Sequence, residues 1–300
     1  IPLWNPLILS GTPLLANFQS APFSPTNIFY FFLPKFDAWS LQIIFQPLLA
    51  AVFLYFLLRE FKRSKLASLA GGLFFAFSGF MIIWLEWNAH SLVAAFFPLI
   101  ILLILKWIKT NKVLWGSCLS FVLALQIFSG YPQIILYEFM ILLVMLIIFD
   151  RKFFIQPRRF LTLGLFLALG IGLASIQILP GFELIRHAQR NLESLSSELA
   201  FIPWQSLIML LAPDYFGNHS TYNYWGPAHY TIASGYSGII TLSLAIVGTL
   251  TFFRQKGVIL AICIIGIATV LGFENPLSQV LRNNNFLGLQ AASNQRILLF

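Results

Sequence analysis

The run AWSLQIIFQPLLAAVFLYFLLREFKRSK, residues 38–65, sets the frame for the whole chain. Residues 38–58 carry no charged side chain, and a bilayer is crossed by roughly 20 such residues in a helix. Arg59, Lys62, Arg63 and Lys65 follow at once. An apolar run closed by a basic cluster reads as one membrane crossing with its end on the cytoplasmic side.

Working outward, the same pattern recurs. Apolar spans are expected at about 38–58, 66–85, 92–108, 113–130, 134–149, 160–179, 233–253 and 257–272. A ninth begins near Arg296. Thirteen of the eighteen lysines and arginines fall between alternate spans: the first cluster, then Lys106, Lys109 and Lys112, then Arg151, Lys152, Arg158 and Arg159, then Arg254 and Lys256. Five lie on the other side: Lys35, Arg186, Arg190, Arg282 and Arg296. The expected fold is therefore all-α, a polytopic helix bundle of about eight transmembrane helices with its basic loops inside. Trp39, Trp84 and Trp87 are expected at the outer interface, and Trp107 and Trp115 at the inner one.

Composition agrees. The 300 residues are 59% hydrophobic and 9% charged, with a mean hydropathy of +0.84, whereas soluble globules carry about a quarter charged residues. The net charge of +8 belongs to topology rather than to nucleic acid. Cys118 and Cys263 sit inside apolar runs, so no disulfide framework is expected.

This orientation divides the chain into an external proline-rich loop (1–37), a six-helix region (38–179), an external loop with short helices (180–232), two further helices (233–272) and an external loop leading into another span (273–300). The first loop is too rich in proline to span as a helix. Its external placement implies a spanning helix before Ile1, and the chain reads as a fragment lacking both ends.

The chemistry gathers on the external side. His90, His187, His219 and His229 all fall there, with Asp37, Glu86, Glu183, Glu193, Glu198, Asp214 and Glu274. Gln42, Gln46, Gln126, Glu138 and Gln177 lie in the outer halves of spans. Polar groups at that depth are costly and face a bundle interior or a wet cavity. For Glu138 a functional role and a structural hydrogen bond to a neighbouring helix weigh equally, and for each glutamine the structural role weighs more.

The turn LEWNAHS, 85–91, sets Glu86, Asn88 and His90 at the mouth of the expected cavity. It reads either as a turn capped by Asn88 or Ser91, or as a general base and phosphate partner. GYPQ, 130–133, is a turn in which Gln133 can serve as a cap. PGFELIRHAQRN, 180–191, is expected to start a helix at Pro180. Glu183, Arg186, His187 and Arg190 then share one face. That face suits an anionic ligand, or is a solvated surface with Glu183 paired to Arg186 or His187. PWQSLIMLLAP, 203–213, is too short to span and reads as interfacial. Asn218-His219-Ser220 matches a glycosylation acceptor with little specificity. HExxH, paired CxxC, P-loop, GxGxxG and GxSxG patterns are absent from the sequence, so no metal site, divalent metal included, has a motif behind it.

PLWNPLILSGTPLLANFQSAPFSPTN (2–27) resembles the first external loop of bacterial YfhO-type membrane proteins, a family placed with the GT-C glycosyltransferases. AGGLFFAFSGF (70–80), the His-bearing turn after it, GYPQ and PGFELIRHAQRN extend the likeness to about residue 190. The resemblance implies an external active site, a sugar donor carried on polyprenyl phosphate, and an envelope glycopolymer or lipid as acceptor. It implies a carboxylate on the first external loop as base, part of which lies before Ile1. Asp37 and Glu86 are the acidic candidates here, with His90 beside them. Arg186, Arg190, His187 or His90 would hold the leaving phosphate, and Asn5, Asn17, Gln19 and Gln133 the sugar hydroxyls. Asn88, Glu138, Glu183 and Asp214 complete the candidate site. Rival readings are a transporter or flippase of a lipid-linked or anionic solute, and a catalytically silent envelope-assembly partner.

Overall fold

The computed structural model describes residues 3–8, 10–187, 201–227 and 230–284. Arg190, Glu193, Glu198, His229 and the expected span near Arg296 lie outside them. The chain divides into two units, one of 1–76, 85–138 and 151–188, the other of 77–84, 139–150 and 189–300.

The first unit opens with a short hairpin, β1 (Trp4–Asn5) against β2 (Thr12–Pro13), antiparallel. Two 3-10 turns follow, Phe18–Ser20 and Pro25–Phe31. Helices α1 (Lys35–Glu60) and α2 (Lys65–Ala76) come next, and α3 (Gly79–Ile83) belongs to the second unit. The 3-10 turn Trp84–Trp87 leads back from the second unit into the first, which continues through α4 (His90–Thr110) and α5 (Val113–Phe128). Helix α6 (Pro132–Phe149) starts in the first unit and ends in the second. Helices α7 (Pro157–Leu173) and α8 (Ser175–His187) close the first unit.

Contacts within this unit define two ends. At one, Lys109 of α4 bridges Glu60 of α1 at 2.6 Å, and Arg159 of α7 donates to the Ile108 carbonyl at 2.5 Å. These are the basic loops. At the other end lie the start of α1, the start of α4 and the α5–α6 turn. Helix α4 is the core element, its residues 90–96 all buried.

Among the described residues, α1, α4 and α6 are long and apolar enough to cross a membrane, and at most five spans result if each broken pair is one. The expectation of eight transmembrane helices is thereby corrected to a mostly helical membrane-type chain with three to five candidate spans among the described residues. Expected span 66–85 is interrupted, with α2 ending at Ala76 and Ser78 capping α3. Expected span 160–179 bends by 74° between α7 and α8. Helix α5, at 16 residues, is shorter than the roughly 20 needed at 1.5 Å per residue. Apolarity alone does not register such breaks. Pro180 lies inside α8 rather than at a helix start. Trp84 and Trp107 are buried side chains, not interfacial ones; Trp107 meets the Phe166 ring edge-on.

In the second unit, residues 203–213 hold a 3-10 helix, Trp204–Leu210, with Trp204 stacked on Phe273 at 4.3 Å. Further on come 3-10 turns His219–Thr221 and Tyr230–Gly235, α9 (Ile239–Phe252), α10 (Lys256–Gly272) and α11 (Pro276–Asn283). Helix α9, at 14 residues, is shorter than the span expected at 233–253, because Gly238 at φ 95° ends the irregular segment before it, whereas α10 covers the whole of the span expected at 257–272. Arg282 is buried over the Phe201 ring, and burial lowers its guanidinium from the usual value.

Candidate functional site

The polar residues of the first unit collect at the end away from the basic loops. Most of them point into protein. Four amides form a chain in which each donates to the next. Gln46 Nε2 donates to Asn88 Oδ1, Asn88 Nδ2 to Gln42 Oε1 at 2.6 Å, and Gln42 Nε2 to Asn27 Oδ1 at 2.9 Å. Asn27 Nδ2 ends the chain on the carbonyls of Ala21 and Pro22, at 2.9 and 3.1 Å. The chain ties the proline-rich loop, α1 and the turn before α4 together. Gln42 and Gln46 are one helical turn apart, so one asparagine amide can meet both. Asn88 stands at φ 53°, a left-handed conformation that asparagine tolerates better than most residues. It is not the cap of α4; that position is Ala89, without a side-chain cap.

A second cluster surrounds the start of α4 and the α5–α6 turn. His90 is buried, its ring 3.8 Å from that of Tyr131 and edge-on to Trp87. Tyr131 donates to Gln133 Oε1 at 3.4 Å, and Gln133 Nε2 donates to the Tyr137 hydroxyl at 2.7 Å. Gln133 therefore links two tyrosines rather than capping α6. One turn below His90, Gln126 Nε2 donates both to the Val93 carbonyl at 2.9 Å and to Glu138 Oε2 at 2.5 Å. Glu138 thus makes the interhelical hydrogen bond that its position allowed. Its other oxygen, Gln126 Oε1, Gln46 Oε1 and both polar atoms of the Gln177 side chain are buried with no hydrogen-bond partner among the described residues. Each such atom is costly to leave unmatched, about 1–3 kcal/mol.

The two other acidic candidates lie on the surface. Glu86 is exposed on the 3-10 turn two residues before Asn88, and Asp37 is exposed in the first turn of α1. Asn5 accepts from its own Leu7 N–H, and Asn17 caps the turn 18–20 through the Gln19 N–H, with Gln19 itself exposed. These three belong to loop geometry and are not drawn into the buried clusters. Glu183, Arg186 and His187 are exposed on α8, and Arg186 lies over the ring of Phe182 at 5.2 Å. Among the described residues Glu183 forms no ion pair with Arg186 or His187. Asp214, in the second unit, is an exposed residue that accepts from Asn218 Nδ2 at 2.9 Å. That bond, with Asn218 Oδ1 on the Ser220 N–H, engages the asparagine of the glycosylation match in its own turn.

No family model, curated protein or solved structure matches this chain. The site must be judged on its own geometry. Among the described residues no group of three His, Cys, Asp or Glu side chains is placed to hold a metal ion. Sequence reasoning missed Asn27, Tyr131 and Tyr137, which carry the clusters with Gln42, Asn88 and His90. Gly130-Tyr131-Pro132-Gln133 marked the turn, but nothing local signalled that its tyrosine would cover a histidine 41 positions earlier.

Proposed function

We propose that this chain is the membrane-embedded part of a glycosyltransferase that moves a sugar from a polyprenyl-phosphate donor to an envelope glycopolymer or lipid acceptor, at the external face of a bacterial cytoplasmic membrane. The observation that supports the reading is the gathering of amide, imidazole, phenol and carboxyl groups at the end of the first unit remote from its basic loops. Amide, phenol and carboxyl groups are the kinds that hydrogen-bond the hydroxyls of a sugar. Glycosyl transfer needs a base at the acceptor hydroxyl and positive charge at the departing phosphate. Glu86 is the base in this reading, exposed beside the amide chain, with Asp37 second. Arg186 and His187, free of any carboxylate partner among the described residues, meet the phosphate.

The test is sugar transfer from a polyprenyl-phosphate sugar in proteoliposomes. Glu86→Gln is expected to lower turnover by 100-fold or more, within the roughly 10²–10⁴ that general base catalysis supplies, without lowering the unfolding midpoint. Unchanged turnover in both Glu86→Gln and Asp37→Asn overturns the assignment. A transporter is the second reading, favoured by the 74° break between α7 and α8 beside the buried Gln177, because transporters build sites at broken helices. Solute uptake into sealed vesicles with no sugar transfer would select it.

A further inference from the structure

A groove of about 770 Å³ runs between α1 and α2, lined by Leu48, Val52, Phe56, Leu66 and Leu69 among others, with Lys65 at its lip. Its lining is almost wholly apolar. Val52, Phe56, Leu66 and Leu69 are each more than a third exposed. From Leu48 to Phe56 the α1 wall is about 12 Å long at the helical rise of 1.5 Å per residue. The helices are held at this spacing by Gly72, where a Cβ would stand 2.6 Å from the Ala51 carbonyl oxygen.

The lip is built as firmly as the walls. Helix α1 ends in a Schellman motif, with Arg63 N–H on the Leu58 carbonyl at 3.1 Å and Lys62 N–H on that of Arg59 at 2.9 Å. Lys62 holds the left-handed position at φ 61° that glycine usually fills. Ser64 then caps α2 through the Ala67 N–H. This turn presents Lys62, Arg63 and Lys65 together. Glu60, the acid nearest in sequence, is engaged by Lys109. Lys62 and Lys65 have no acidic partner among the described residues.

We infer that the groove holds an acyl chain of an anionic glycerophospholipid, whose phosphate sits at Lys65 and Lys62. The apolar trough accounts for the chain, and Lys62 and Lys65 at its lip select the headgroup, since basic residues at a membrane surface favour anionic lipid. This assignment is independent of the transferase reading, because it concerns the opposite end of the first unit.

The test titrates the delipidated chain in detergent with phosphatidylglycerol, phosphatidylcholine and polyprenyl phosphate, reading retained lipid by mass spectrometry and the unfolding midpoint. Phosphatidylglycerol is expected to bind most tightly. Lys65→Gln should weaken it about fivefold and Lys65→Arg should not. Leu69→Trp and Val52→Trp, at exposed positions that fill the trough, should abolish retention, while Phe121→Trp on the exposed face of α5 leaves it intact. Equal affinity for phosphatidylcholine, preference for polyprenyl phosphate, or undiminished retention in both tryptophan variants would overturn the inference.

Discussion

Asn88 stands at φ 53° while its amide donates to Gln42 and accepts from Gln46. The two roles can be separated by substitution. Asn88→Gly keeps the left-handed backbone and deletes the amide, which leaves Gln42 Oε1 and Gln46 Nε2 short of a partner, a loss of about 1–3 kcal/mol. Asn88→Ala adds the left-handed penalty of about 1–2 kcal/mol for a residue with a Cβ. Thermal unfolding in detergent should therefore rank wild type above Gly and Gly above Ala. Equal midpoints for Gly and wild type would show the amide chain to be energetically idle. Gln42 and Gln46 could be placed at the right depth from sequence, but their partner could not. The hydrogen bonds span 46 and 42 residues of chain, and a local pattern carries no information about such closure.

Helices α5 and α7 approach through small residues. A Cβ on Gly116 would lie 2.1 Å from the Phe166 ring, and one on Gly170 would lie 2.8 Å from the Ser120 carbonyl. Ser120 Oγ closes the contact on the Phe166 carbonyl at 2.7 Å. In lipid, association of helices rests on such close packing and on interhelical hydrogen bonds. Gly116→Leu should cost about 1–3 kcal/mol or more by overpacking. Gly164→Ala, where a Cβ meets nothing within 4 Å, should be neutral or stabilising by roughly 0.5–1 kcal/mol. Denaturant titration of the two variants checks the pair, and a Gly116→Leu protein as stable as wild type would exclude this contact. The short length of α5 and the bend at Ala174 escaped the hydropathy pattern for the same reason: apolar residues continue through both, and only backbone geometry changes.

For the molecule as a whole, the testable statement is its orientation. By the positive-inside rule the loops at 59–65 and 106–112 are expected in the cytoplasm, and within the first unit the Glu60–Lys109 bridge brings those loops together. Single cysteines at Ser64 and Thr110, both exposed, should resist a membrane-impermeant thiol reagent in intact cells, and one at the exposed Glu86 should react. Ser91 is unsuitable as the reporter because it is fully buried in the first turn of α4. Labelling at Thr110 in sealed cells would reverse the orientation and remove the basis for an external site.

Sequence by itself determined the helical membrane class, the basic loops, the non-spanning proline-rich segment and the end at which polar side chains gather. These follow from hydropathy and charge, which act residue by residue along the chain. Tertiary structure decided the rest. It reduced eight apolar runs to three to five candidate spans. It buried His90 under Tyr131 and left Glu86 and Asp37 exposed. It turned Glu138 toward Gln126 and opened the trough between α1 and α2. Each of these depends on which distant residues share a neighbourhood, and packing, not composition, sets that.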